Sequence, residues 1–362
     1  MKILVTMPYP MWPVDFGGAA RTYNIALSLA HLGYQVILLA PAPVPEQFSG
    51  QIEWRSYQNK GTRGHFYNPS FTAQLKAILK TSVDLIVMSF PYQSFMVMPI
   101  AKKNNIPVVY DAHNVEKDRF LDMGSKFKST LVGFSENYLC RNASTILAVS
   151  DEDATVFRSR YSQPVVLLPN GVDVESFRYM PPDSTLVDKY HLSGKKVVLY
   201  FGALNYLPNI EALKYLVEKI WPEVNKEVDD AVLLIVGKQP PKWLTSTENI
   251  IVTGIVEDIM KHINLADIVA VPLFSGGGSR LKIIESLACG KTVLSTEFGA
   301  AGLTNKQGEG LKLSKQSSFA QNLINLLHEQ RRDENKDSRA IAMNFSWHSL
   351  VEQIDWENFR VS

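Results

Sequence analysis

Hydrophobic residues fall along the chain in short unbroken runs. Each run is followed by a longer segment in which apolar positions recur every three or four residues. The first pattern reads as a strand buried on both faces, the second as an amphipathic helix. In the first half the runs predict strands at residues 2–7, 35–40, 84–89, 107–110, 145–149 and 165–168, with a short edge strand at 52–57. Helices are predicted at 19–32, ended by Gly33, and at 75–80, 95–104 and 129–141. The remainder of 41–72 is rich in Pro, Gly and aromatics, shows no period and is expected to be irregular. The second half repeats the alternation, with strands at 196–201, 231–236, 249–253, 267–273 and 292–296 and helices at 210–221, 258–265 and 318–331. A charged segment around 331–339 precedes a final helix. Strands that alternate with helices predict parallel α/β sheets, and 362 residues suffice for two doubly wound domains. The turn-rich stretch from Pro169 to Asp173 marks the boundary.

Chemistry collects where predicted strands hand over to helices, which is where doubly wound sheets bind ligands. After the strand at 267–273 comes a polar, glycine-rich turn containing Gly276, Gly277, Gly278 and Ser279. A periodic segment then follows through Leu281, Ile284, Leu287 and Ala288 and stops at Gly290. A strand, a glycine turn and a helix N-terminus together aim backbone N–H groups and the helix dipole at one point, an anion site. Arg280 and Lys282 sit at that N-terminus, where the dipole disfavours cations, so a ligand with more than one negative charge, such as a diphosphate, accounts for them. Glu285, one turn on, is free to accept hydrogen bonds from ribose or sugar hydroxyls. A second reading stays open: Lys282 and Glu285 as a surface pair at i,i+3 beside a flexible loop. Gly17 and Gly18 lie where the first strand meets the first helix and allow either a close ligand approach or a tight turn. His113 lies just past a strand end beside Asn114, Glu116 and Arg119, as a candidate active-site histidine. Asp151, Glu152 and Asp153 read as the first turn of a helix capped by Ser150, with a metal-binding carboxylate pair as the competing reading.

Composition narrows the partners. Hydrophobic residues make up 46% of the chain and charged residues 20%, which suits a soluble globular protein. A net charge of +1 gives no field to recruit nucleic acid. Residues 1–170 carry 16 Lys and Arg against 12 Asp and Glu, and the rest 21 against 24, so the first half is mildly basic. That asymmetry points to an anionic acceptor or to peripheral contact with a membrane. The two cysteines, Cys140 and Cys289, lie far apart in apolar contexts, as expected in a reducing compartment. The opening apolar run is too short for a signal-peptide core, and no run reaches the roughly 20 apolar residues of a membrane span. The expected location is the cytoplasm, with peripheral contact at the inner membrane face. The absence of GxGxxG removes support for a dinucleotide oxidoreductase.

The order of these motifs resembles the retaining glycosyltransferases of family 4. The resemblance rests on the Gly17–Gly18 turn, the Asp111-Ala-His-Asn stretch, Ala148 to Ser150, Pro169 to Asp173, and the block from Gly276 to Gly302. It implies a GT-B fold, in which two Rossmann-like doubly wound domains face each other across a cleft and the C-terminal helix crosses back to the first domain. The implied division is 1–170 plus 345–362 as the acceptor-side domain and 171–344 as the donor-binding domain. The implied reaction moves a sugar from a UDP- or GDP-sugar to an acceptor hydroxyl on a glycan, a lipid-linked glycan or a small molecule, in polysaccharide, glycolipid or glycoconjugate biosynthesis. Carried over by position, Gly17 and Gly18 approach the donor phosphates and sugar, and His113 lies against the transferred sugar. Gly276, Gly277, Gly278, Ser279 and Leu281 present the donor loop, Glu285 binds ribose, and Gly254 and Val256 contact the base. Arg280 and Lys282 take the leaving-group charge, so no metal or other cofactor is expected. The chain departs from the family at two places: Gly277 stands where a Glu is usual, and the loop from Gly202 to Asn209 lacks the usual Arg and Lys. Arg280 and Lys282 look like the replacement, in a subgroup with a Gly-x-Gly-x-Arg-x-Lys pattern. Alternatives within reach of the same residues are a nucleotide-sugar epimerase or hydrolase, and a catalytically silent sugar-nucleotide-binding partner.

Overall fold

A computed structural model describes residues 1–11, 17–42, 50–275, 280–303, 308–329 and 334–359. The chain divides into two units, Met1–Asn170 with Trp347–Ser362, and Gly171–Ser346. Strands of the first unit are β1 (Lys2–Thr6), β2 (Gln35–Pro41), β3 (Ile52–Tyr57), β4 (Leu85–Ser89), β5 (Val108–Ala112), β6 (Thr145–Ala148) and β7 (Val165–Leu167). Among the described residues they form a seven-stranded sheet in the order β3-β2-β1-β4-β5-β6-β7. Every pairing is parallel. Period-two alternation explains why both faces are buried. Ile3, Val5, Leu38, Val87 and Val109 point into one apolar cluster, while Leu4, Leu39, Ile86, Met88 and Tyr110 point into the other. The strand order reverses between β1 and β4, which makes their C-terminal ends the topological switch point.

The second unit contains β8 (Lys196–Phe201), β9 (Ala231–Val236), β10 (Ile250–Gly254), β11 (Ile268–Val271), β12 (Thr292–Thr296) and β13 (Leu311–Ser314). Among the described residues its sheet runs β10-β9-β8-β11-β12-β13, again parallel, with the reversal between β8 and β11. Its core is one cluster in which Leu199, Leu234, Val269 and Val293 meet helix residues such as Leu213, Trp221 and Leu287.

The C-terminal segment returns to the first unit. Trp347, Leu350, Val351 and Trp356 join the cluster containing Ile25 and Leu29 of the helix Gly17–His31. The final helix is two pieces, Trp347–Glu352 and a 3₁₀ turn Trp356–Phe359. No helix among the described residues is long and apolar enough to cross a membrane.

Several elements differ from the sequence reading. The stretch expected to be irregular contains the predicted edge strand β3, but also the helices Gly61–Phe66 and Pro69–Ile78. Asn68 caps the second of these through Ser70 and Phe71 N–H, and Pro69 opens it, so it begins before the residue 75 expected from periodicity. The helix expected at 210–221 spans Leu207–Tyr215, a π-helical turn Leu216–Ile220, and Trp221–Glu227. The wide turn falls just before Pro222, whose ring clashes with a regular i−4 carbonyl and which has no N–H to donate. The charged segment includes a helix, Lys336–Met343, capped by Asn335. The helix Glu116–Asp122 and strand β13 had no counterpart in the reading.

Candidate active site

In the first unit the site is built at the C-terminal ends of β4 and β5. Asp111 is the penultimate residue of β5 and is fully buried. The Arg21 guanidinium donates through Nε and Nη2 to Asp111 Oδ1 at 2.8 and 2.7 Å, and through Nη1 to Asn170 Oδ1 at 2.9 Å. His113 places Nε2 3.0 Å from Asp111 Oδ2. Burial alone raises a carboxyl's pKa, but Arg21 and His113 hold Asp111 well below the usual carboxylate range. The carboxylate therefore acts as acceptor, and the proton of this hydrogen bond lies on His113 Nε2. A buried ion pair of this kind is weak evidence for stability, and its clearest effect here is to orient the imidazole.

Phe90 completes the histidine's setting. It follows β4 directly, has φ of +68°, and lies with its ring centroid 4.2 Å from that of His113. A bulky side chain in the left-handed region is strained, and here the surrounding packing holds it. Phe90 stacks in turn on Tyr92, whose hydroxyl donates to Glu116 Oε2 at 2.6 Å. Glu116 is buried and also receives Arg119 Nη1 at 2.9 Å and Asn114 Nδ2 at 3.2 Å. Asn114 and Arg119 thus converge on Glu116 just past the end of β5, while His113 bonds back to Asp111. Beneath them, Glu136 accepts the backbone N–H of Glu116 and Lys117 and holds the first turn of that helix. Burial raises its pKa to about 7.

In the second unit, glycines and polar groups collect at the ends of β8, β9 and β10 and at the N-terminus of the helix Leu281–Ala288. Lys282 Nζ donates to Asn209 Oδ1 at 2.9 Å and lies 5.2 Å from the Tyr200 ring centroid. Asn209 is fixed by donating to the Ala203 carbonyl and by accepting the Tyr200 hydroxyl through its own carbonyl. Lys282 therefore delivers its ammonium to the loop after β8, the very loop that has no cation of its own. Gly202 has φ of +146°, and a Cβ there would stand 3.2 Å from Lys282 Nζ. A Cβ on Gly237, at the end of β9, would fall 1.9 Å from the Gly202 carbonyl oxygen. Gly237 N–H donates to Gly254 O, which extends this close-packed floor to the end of β10.

Burial lowers the Lys282 pKa to about 8 and raises that of Glu285 to about 7, each opposed by the charge of the other. Their interaction does not take the form of an ion pair, because the Lys282 ammonium goes to Asn209. This weighs against the surface-pair reading of those two residues. Arg280 occupies the position before the helix, and its own side chain does not cap the N-terminus. Its guanidinium reaches the Phe298 carbonyl at 3.1 Å and lies over the Phe298 ring.

Of the residues singled out from sequence, the structure gathers Arg280, Leu281, Lys282, Glu285 and Gly254 in the second unit, with Val256 in the segment that leaves β10. Gly17, Gly18 and His113 belong to the first unit, where the two glycines form the first turn of the helix Gly17–His31. Gly276, Gly277, Gly278 and Ser279 lie outside the described residues. Ser150 Oγ accepts Asp153 N–H, so the Asp-Glu-Asp run opens a helix as a capped first turn. The reading missed Arg21, Asp111, Asn170 and Asn209 as parts of the site. Arg21 did leave a signal: a cation on the helix face otherwise carrying Ala19, Thr22 and Ile25.

The fold defines the architecture, a two-domain Rossmann-like GT-B chain. Residues 16–176 match the family described as Glycosyltransferase Family 4, and residues 195–329 match Glycosyl transferases group 1. The chain is a family-4-like glycosyltransferase. No curated protein sequence matches it. Among solved structures it is similar to a sucrose-phosphate synthase from Thermosynechococcus elongatus, at TM-score 0.71 and 17% identity, covering 98% of this chain and 97% of that one. It is also similar to HepE from Anabaena in complex with UDP and glucose, at TM-score 0.69 and 20% identity, covering 98% of each chain. An E. coli structure bound with UDP-2-fluoro glucose gives TM-score 0.65 at 13% identity over 100% of both chains. At these identities the likeness is one of fold.

Proposed function

We propose that the protein is a retaining, metal-independent glycosyltransferase that uses a UDP- or GDP-sugar and an acceptor hydroxyl in polysaccharide, glycolipid or glycoconjugate biosynthesis. The observation that carries the proposal is the half-buried ammonium of Lys282, directed onto the glycine-floored loop after β8 beside Arg280 and a helix N-terminus. A diphosphate is the ligand that such an arrangement accommodates best, and a sugar nucleotide carries one. The UDP complexes among the fold neighbours support a uridine donor. In this reading Lys282 and Arg280 substitute for the cations missing from the loop from Gly202 to Asn209, and Glu285 binds the ribose hydroxyls. His113, oriented by Asp111 and Phe90, lies against the transferred sugar. The bond from the anomeric carbon to the diphosphate oxygen breaks, the acceptor oxygen bonds to that carbon on the same face, and the acceptor proton passes to the leaving phosphate. Lys282, Arg280 and the helix dipole balance the charge that develops on the diphosphate, the role a metal ion fills elsewhere.

The test is a thermal-shift panel with UDP, GDP and ADP, with and without EDTA, followed by nucleotide-release assays with and without glycan acceptors. A shift specific to one nucleotide and unchanged by EDTA, with release that requires acceptor, is expected. No shift with any nucleotide sinks the proposal, and full-rate release without acceptor makes the protein a hydrolase instead.

A further inference from the structure

One face of the first unit takes no part in this site. The helix Lys126–Asn142 buries Val132, Leu139 and Cys140 on one side. At about 100° per residue, Phe127, Leu131, Phe134 and Tyr138 line up on the other side. Phe127 is 80% exposed and Phe134 65%. Leu121, near the end of the preceding helix Glu116–Asp122, and Met123, just after it, are also exposed. Exposed Phe95, on the neighbouring helix Ser94–Lys103, stacks on Tyr138 at 5.0 Å and widens the stripe. An apolar ridge on a helix of 17 residues, about 25 Å long, is far more than scattered surface hydrophobics.

The exposed charges on the helices Lys126–Asn142 and Ser94–Lys103 all have one sign. Lys126, Lys128 and Arg141 flank the stripe on its own helix, and Lys102 and Lys103 end the helix that carries Phe95. The carboxylate on those two helices is Glu136, which is buried against the backbone of Glu116 and Lys117. At the margin, Asp118 pairs with Arg160 at 2.7 Å, and Asp122 is exposed. A second copy of the chain would bring these cations against their own kind. An anionic bilayer would instead take the apolar side chains below the phosphates and the cations among them.

We propose that this face docks on the surface of a membrane rich in anionic lipid, with Phe127, Leu131 and Phe134 entering the acyl boundary and Lys126, Lys128 and Arg141 at the phosphates. The proposal is independent of the donor chemistry above, since none of these residues belongs to the nucleotide or sugar site.

Co-sedimentation of the full chain with vesicles of phosphatidylglycerol and phosphatidylcholine in equal parts, and of phosphatidylcholine alone, tests it. The protein is expected to pellet with the first, weakly with the second, and less as salt rises. A Phe127→Ser, Phe134→Ser double variant should bind at least about tenfold more weakly. Lys126→Glu with Lys128→Glu should lose about fivefold or more per residue on the anionic vesicles. Unchanged thermal stability and nucleotide response in both variants would confirm folding. Wild-type protein that stays in the supernatant with anionic vesicles, or equal binding by the double phenylalanine variant, overturns the proposal. So does a dimer in solution that the same variant dissociates, which would make the ridge a contact between copies.

Discussion

Lys282→Met removes the ammonium and keeps a side chain of similar length. In the free protein, burial draws this lysine from 10.5 down to about 8. A bound diphosphate supplies the missing counter-charge and returns the lysine toward its ordinary value. By linkage, recovering that shift contributes about 3 kcal/mol to binding, a factor on the order of a hundred in Kd. The sign follows from proton occupancy. Between about pH 8 and 10.5 the complex holds the Lys282 proton and the free protein has lost it, so nucleotide affinity falls as pH rises through that window. The slope approaches about tenfold per pH unit. Stability moves the other way: over the same window the unfolded chain binds more protons than the folded one, so the free protein gains stability as pH rises. Titration calorimetry across this range, with whichever nucleotide gives the thermal shift, reads both effects. The variant should bind on the order of a hundredfold more weakly near neutrality, with a flat pH profile over the window, and should melt no lower than wild type, since it lacks a buried charge. Equal affinity of variant and wild type, or a wild-type affinity independent of pH across the window, refutes the assignment of Lys282 to the diphosphate.

His113→Ala should lower the rate of sugar transfer by about 10²–10⁴-fold while the nucleotide Kd stays put, and parallel binding and turnover assays decide it. Asp111→Asn leaves the Arg21 guanidinium buried with a neutral partner and should cost about 3–5 kcal/mol by denaturant titration. Because Asp111 is held below the usual range, its contribution is present above about pH 4 and is lost as pH falls further, so the variant's acid unfolding should be shallower than wild type's. Gly237→Ala puts a methyl 1.9 Å from the Gly202 carbonyl oxygen, so the loops after β8 and β9 must part. A loss of about 1–3 kcal/mol in stability together with weaker nucleotide binding is expected, and unchanged thermal melting would mean the floor is not close-packed.

The sequence by itself determined the elements that are buried on both faces. Val36 to Leu39, Val232 to Ile235 and Val293 to Ser295 are apolar or small without interruption, and such runs have one stable home, the interior of a parallel sheet covered by helices. It also marked the turns at the ends of those runs, where glycines and cations fall. Short elements were less legible. β13 and the helix Glu116–Asp122 have too few residues to establish a period, and each is stabilised by neighbours distant in the chain, such as Glu136 for the helix.

Tertiary structure alone decided which polar side chains act together. Arg21, Asp111 and Asn170 are 90 and 149 residues apart where they pair, and nothing local in the chain announces their meeting. Lys282 and Asn209 are separated by 73 residues, so a loop read as lacking a cation acquires one from a helix elsewhere. Local pattern reports backbone conformation and burial, because those depend on near neighbours in sequence. The charge at a site depends on which strands the sheet order brings side by side, and that order is set when the whole core packs.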